Sequence, residues 1–177
     1  MRHYNVGPNL RNEEPPMNAA DFARLGHAES IARLGSMPAF LDDVLASATV
    51  ATLGRRSAPG EFSLVEHACH LRDLEREGYL VRVRRILAES RPALEGFDGA
   101  AAAASRDYPS QDARQAARDF AAARAELVEL LSPLDERDLS REATFMGKPS
   151  CLAEVVAMMV EHDRGHREEI EKLAAAR

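Results

Sequence analysis

The stretch that decides the fold is Cys151 to Lys172, CLAEVVAMMVEHDRGHREEIEK. Leu152, Val155, Met159, His162, His166, Ile170 and, one residue beyond it, Leu173 recur at steps of three and four, so they share one face of an amphipathic helix. That period sets His162 and His166 among core positions, one helical turn apart. A buried imidazole needs partners for its ring nitrogens, because an unpaired buried polar group costs about 1–3 kcal/mol. Two imidazoles at i and i+4 suit a single divalent cation; a packed, hydrogen-bonded pair is the competing reading. The order His162-Asp163-Arg164-Gly165-His166 is close to the zincin H-E-x-x-H pattern but carries Asp in place of its glutamate base. No His or Cys follows His166, so a further strong ligand must come from upstream.

Working outward, 177 residues fit one domain with a sizeable core. The absence of tryptophan, an aromatic content of 5% and an abundance of Ala, Leu, Glu and Arg favour helices over a sandwich or barrel, so the expected class is all-α. A formal charge of −6 argues against nucleic acid as a partner; the local cluster Arg82, Arg84 and Arg85 suits a small anion at most. Cys69 and Cys151 have no C-x-x-C spacing, so neither a disulfide framework nor a zinc knuckle is signalled, and a reducing, cytoplasmic setting is the default. No apolar run approaches the roughly 20 residues of a membrane span, which argues against a membrane partner.

The N-terminal stretch MRHYNVGPNLRNEEPP is polar and closes on Pro15-Pro16, so residues 1–17 are expected to be a flexible tail ahead of one bundle over 18–177. Asn18 is a candidate cap for a first helix carrying Phe22, Leu25 and Ala32. Gly35, Ser36 and Pro38 interrupt it before Phe40, Leu41, Val44 and Leu45, which predicts one kinked helix or two short ones. His27, in this region, reads as exposed or half-buried. After the Gly54–Gly60 loop, Ser63 and Glu66 have capping-box spacing, so a second helix begins about Leu64. On its wheel, Leu64, Ala68, Leu71 and Leu74 define the apolar face, with His67 inside it and His70 toward its edge.

A long connection over 90–110, with a helical turn at Ala100–Ala104, leads to a third helix over Gln111–Leu131, whose face takes Ala113, Phe120, Ala123 or Arg124, and Leu127. A connection of about 20 residues can run the length of a bundle, so simple up-down-up-down order is not required. Thr144 to Lys148 read as a turn, and Ser150 as the cap of the final helix.

These motifs taken together, Pro59-Gly60-Glu61-Phe62-Ser63-Leu64, His70-Leu71-Arg72-Asp73-Leu74-Glu75, Gly147 and His162-Asp163-Arg164-Gly165-His166, resemble the DinB/YfiT-like superfamily from about Asp21 onward. Tyr79, Arg82 and Pro92 resemble its YfiT-type branch. The resemblance implies a four-helix bundle of up-down-down-up topology and a divalent metal, zinc or nickel, held by one histidine of the second helix and two of the last. Matched residue by residue, those ligands fall on His70, His162 and His166. Here the motif and the helical wheel diverge, because the wheel prefers His67; the motif is followed, and His67 becomes a neighbouring packed or polar residue.

The family includes thiol-dependent transferases, among them bacillithiol transferases and the mycothiol-dependent maleylpyruvate isomerase, and proteins proposed as metal-dependent hydrolases. It thus implies a small-molecule substrate, a low-molecular-weight thiol as a possible cofactor, and a homodimer. Asp73 and Asp163, with Glu161 beside the last pair, are candidates for taking a proton or orienting ligands, against the default of solvated helix carboxylates. Glu66, Asp73 and Asp163 also lie near enough in sequence to close the metal site as a fourth ligand. A non-catalytic metal- or small-ligand-binding bundle is the alternative, distinguished by a saturated rather than open coordination sphere.

Overall fold

The computed structural model describes residues 25–176; the expected tail and the Asn18 cap lie outside them. The long elements are α1 (His27–Ser47), a second helix built from α3 (Leu64–Asp73), a π-helical stretch (Leu74–Tyr79) and α4 (Leu80–Ala88), then α6 (Ala113–Leu131) and α8 (Leu152–Ala175). Short pieces fill the connections: α2 (Val50–Gly54), β1 (Ala93–Leu94), α5 (Gly99–Ser105), a 3₁₀ turn (Tyr108–Ser110), α7 (Glu136–Leu139), β2 (Glu142–Phe145) and β3 (Lys148–Cys151).

The chain order follows from two apolar core halves. Leu34, Val83, Leu127 and Val155 belong to one half, and Leu41, Leu64, Ala116 and Ile170 to the other. Helix α1 therefore runs from the first half to the second, the second helix and α6 both run back, and α8 returns, which is the up-down-down-up order. The parallel pair in the middle demands a crossover, and residues 89–112 provide it, burying Leu94 in one half and Tyr108 in the other.

Ser63 and Glu66 form the expected capping box, with Glu66 N donating to Ser63 Oγ and Ser63 N to Glu66 Oε2. Other local expectations need correction. The first segment is one helix and not two short ones: α1 runs through Gly35 and Pro38, because the face of Leu34, Met37, Leu41 and Leu45 is buried on both sides of the proline and tertiary packing outweighs the missing N–H. Ser150 caps nothing: it lies in β3, and Cys151, extended, precedes α8 directly while Leu152 N donates to Arg141 O. Only Met146-Gly147, both at positive φ, is the turn expected over 144–148; it joins β2 and β3 as a type I′ hairpin, with β1 added in parallel. His27 is half-buried, as expected, and its Nε2 lies 2.9 Å from Leu131 O.

Candidate metal centre

Between the two apolar halves lies a polar layer with two parts. One is built on Arg124, which is 1% exposed. Its Nε and Nη2 donate to the two oxygens of Glu75 at 2.8 Å each, Nη1 and Nη2 donate to Asp163, and Nη1 also donates to Leu34 O at 3.0 Å. A guanidinium carries five N–H groups, and all five are used. The carbonyl of Leu34 is available because Pro38, four residues on, has no N–H to give it. Burial opposes the charge on Arg124, but the Asp163 and Glu75 carboxylates outweigh that and hold its pKa above the ordinary value.

The other part is made of histidines. The register of α3 turns His67 and His70 toward α8, which presents His162 and His166 one turn apart. His70 Nε2 lies 3.3 Å from His162 Nε2, which lies 3.0 Å from His166 Nε2, and one nitrogen from each ring falls within 4.8 Å of the other two. Hydrogen bonding among the three accounts poorly for this arrangement. A neutral imidazole nitrogen has either one N–H or one lone pair, so His162 Nε2 serves both neighbours only by splitting one N–H between them, which leaves the Nδ1 atoms of His70 and His162 without partners among the described residues. A cation bound by all three lone pairs removes the conflict, and ligand separations around a tetrahedral zinc with bonds of about 2.0–2.1 Å are about 3.3–3.4 Å. The donor set and its spacing fit a divalent metal.

Burial keeps these rings neutral, the form that ligates. It holds His70 down to about 4 and His162 to about 3, the latter helped by His70 and Arg124, and it drives His166 lower still, helped by His162, His70 and His67. His70 is wedged by Phe62 and Phe97, at centroid distances of 5.3 and 6.2 Å, and by the backbone of Gly99, where an added Cβ would lie 2.6 Å from its Cε1. His70 Nδ1 and His162 Nδ1 have no hydrogen-bond partner among the described residues.

His67 is more buried than His70, at 1% against 8%, so the wheel was right about its direction. Its Nδ1 lies 2.9 Å from His166 Nδ1, on the far edge of that ring from His162. Burial, aided by the nearby His70, holds its pKa at about 4.

Asp73, Asp163 and Glu66 are buried rather than solvated, as the default had it, and Glu161 is half-buried. Asp73 is 4% exposed and accepts from Arg72 Nε (2.6 Å), Arg106 Nη1 (2.7 Å) and Tyr108 Oη (2.8 Å), which ties the crossover to α3. Burial opposes its charge, but these bonds hold its pKa below the ordinary carboxylate value. Asp163 is committed to Arg124, and Glu66 to the capping box and Arg56. Sequence reading missed the Arg124 cluster; the signal was an arginine on an otherwise apolar face of α6.

The DinB superfamily model matches residues 33–170. The chain belongs to the DinB superfamily. YfiT from Bacillus subtilis, described as a probable metal-dependent hydrolase with an unusual four-helix bundle topology, is similar in structure: TM-score 0.77, 21% identity, covering 83% of this chain and 85% of that one. At this identity the likeness carries the fold. No curated protein matches the chain. Among the described residues of this DinB-superfamily member, no helix is long and apolar enough to cross a membrane.

Proposed function

We propose that the protein binds a divalent metal, zinc or nickel, through His70, His162 and His166 and acts on a small molecule as a metal-dependent enzyme, by hydrolysis or by thiol transfer. The observation that carries this is the convergence of three neutral imidazole nitrogens on one point, with His162 Nε2 facing two partners while the Nδ1 atoms of His70 and His162 have none among the described residues. When bound, such a cation supplies Lewis acidity, polarising a substrate and making a water or thiol acidic enough to react at neutral pH.

The enzyme reading is favoured over the binding bundle by the state of the carboxylates. Glu66, Asp73 and Asp163 are each held by an arginine, so none is free to close the coordination sphere. Asp73 and Asp163 then act as positioning residues: Asp73 anchors the crossover that carries Gly99 against His70, and Asp163 fixes α8 next to His162. The reading includes a homodimer in a cytoplasmic, thiol-rich setting, which sedimentation analysis and co-purifying thiol test. The experiment for the activity is a panel of hydrolysis and thiol-transfer assays on metal-loaded protein against His162→Ala/His166→Ala. We expect turnover in the former and background rates in the latter; equal rates, with metal raising only the melting temperature, would establish the non-catalytic bundle instead.

A further inference from the structure

The histidine cluster does not end at its inner triad. On α8, His162, His166 and Glu169 follow at i, i+4 and i+7, so they line one stripe; on α3, His67 precedes His70 by three residues. The two facing stripes therefore make two rungs, an inner one of His70, His162 and His166 and an outer one of His67, His166 and Glu169, with His166 common to both. We propose that the outer rung is a second divalent-cation position, ligated by two imidazoles and one carboxylate.

The geometry is that of a ligand set. His166 Nδ1 lies 2.9 Å from His67 Nδ1 and 3.6 Å from Glu169 Oε2, the other nitrogen of His67, Nε2, lies 3.7 Å from that oxygen, and one ligating atom from each side chain falls within 4.8 Å of the other two. The two separations at His166 Nδ1 lie on either side of the roughly 3.3–3.4 Å between ligands of a tetrahedral zinc. Neither histidine–carboxylate distance is a hydrogen bond, so the carboxylate stands beside the rings without being engaged by them. Two histidines and one glutamate are also a donor set found in open zinc sites.

The surroundings supply access and charge. The outer rung lines a cavity of about 290 Å³, together with Ser57, Gly60, Glu61 and Phe62, which a hydrated cation can enter. The Glu169 side chain is 59% exposed and free to close on an ion. The Glu61 carboxylate lines the same cavity and adds negative charge that a cation would relieve.

The shared ring sets the relation between the two positions. Neutral His166 has one lone pair, available at Nε2 for the inner rung or at Nδ1 for the outer one, so the positions compete for it. The inner rung adds two imidazoles and is the tighter; the outer rung is weaker and holds the cation when the inner is broken. It shares only His166 with the proposed function and stands or falls separately.

The test is a titration of full-length, metal-free protein with Co²⁺, followed by the visible d–d absorbance and by equilibrium dialysis. His70→Ala/His162→Ala should still take up one equivalent, more weakly than wild type, with the band of a partly histidine-ligated ion. Adding Glu169→Gln or His67→Ala should weaken that uptake by about tenfold or more. No uptake by the native-like double variant, or uptake indifferent to both additions, would overturn the proposal. If the double variant loses its native circular dichroism, His70→Asn alone takes its place, with the same expectations. Failure of the inner site reads differently: the double variant would then bind as tightly as wild type, and Glu169→Gln alone would abolish binding.

Discussion

The two parts of the polar layer sit side by side on α8, where His162 and Asp163 are neighbours in sequence, and they solve burial in opposite ways. Around Arg124 every N–H has an acceptor, even to the extent of using a carbonyl that a proline leaves free. Around His162 the donors and acceptors cannot be matched, and two ring nitrogens lack partners among the described residues. A closed hydrogen-bond account marks a group that holds the bundle together, and an open one marks a group arranged for something from outside.

The largest effect expected from breaking this contrast is on stability. Arg124→Met leaves Glu75 and Asp163 buried without their cation and should cost about 3–5 kcal/mol in urea unfolding, whereas adding Glu75→Leu and Asp163→Leu should restore much of that loss. A triple variant as unstable as the single would show that the charges are not what the arginine serves.

Acidification should act on the histidine side. The pKa values of His67, His70 and His162 are depressed from 6.5 to about 4, 4 and 3, so the unfolded chain binds protons first as pH falls. The stability of the metal-free protein is then fully present above about 6.5 and is lost progressively as pH drops through about 4. Melting temperatures that stay flat over this range would mean the rings are already solvated.

Metal retention separates the two histidines of α3. After dialysis without added metal, His70→Ala should retain almost none and His67→Ala most of the wild-type content. Equal losses would make the outer rung part of the tight site. A smaller, more local change is Gly99→Ala, whose Cβ would meet a His70 ring already held by Phe62 and Phe97. We expect a cost of about 1–3 kcal/mol and a loss of metal affinity, with Arg124 undisturbed. Smallest is Pro38→Ala: the new N–H would compete with Arg124 for Leu34 O while repairing the helix, a net change below about 1 kcal/mol by calorimetry.

The helical class, the long amphipathic helices and the inward direction of His162 and His166 are legible in the chain alone. They are legible because the 3.6-residue period and the capping box of Ser63 and Glu66 are local signals, readable without knowing any partner helix. The family motif further singled out His70, and the structure brings that ring to the other two. The remaining features arise from long-range packing. Burial on both sides of Pro38 carries α1 through a residue that reads as a break. The β-strands at 93–94, 142–145 and 148–151 exist through pairing with one another, which no single segment signals. The π-helical stretch beside the site carries no local mark. Whether Arg124, Asp73 and Asp163 face water or a partner depends on residues 30 to 50 positions away in the chain, such as Glu75 and Arg106. The wheel ranks His67 as the more inward ring, but both histidines are buried; what separates them is the partner each one meets, the Nδ1 edge of His166 for His67 and His162 Nε2 for His70, which the packing of α3 on α8 fixes.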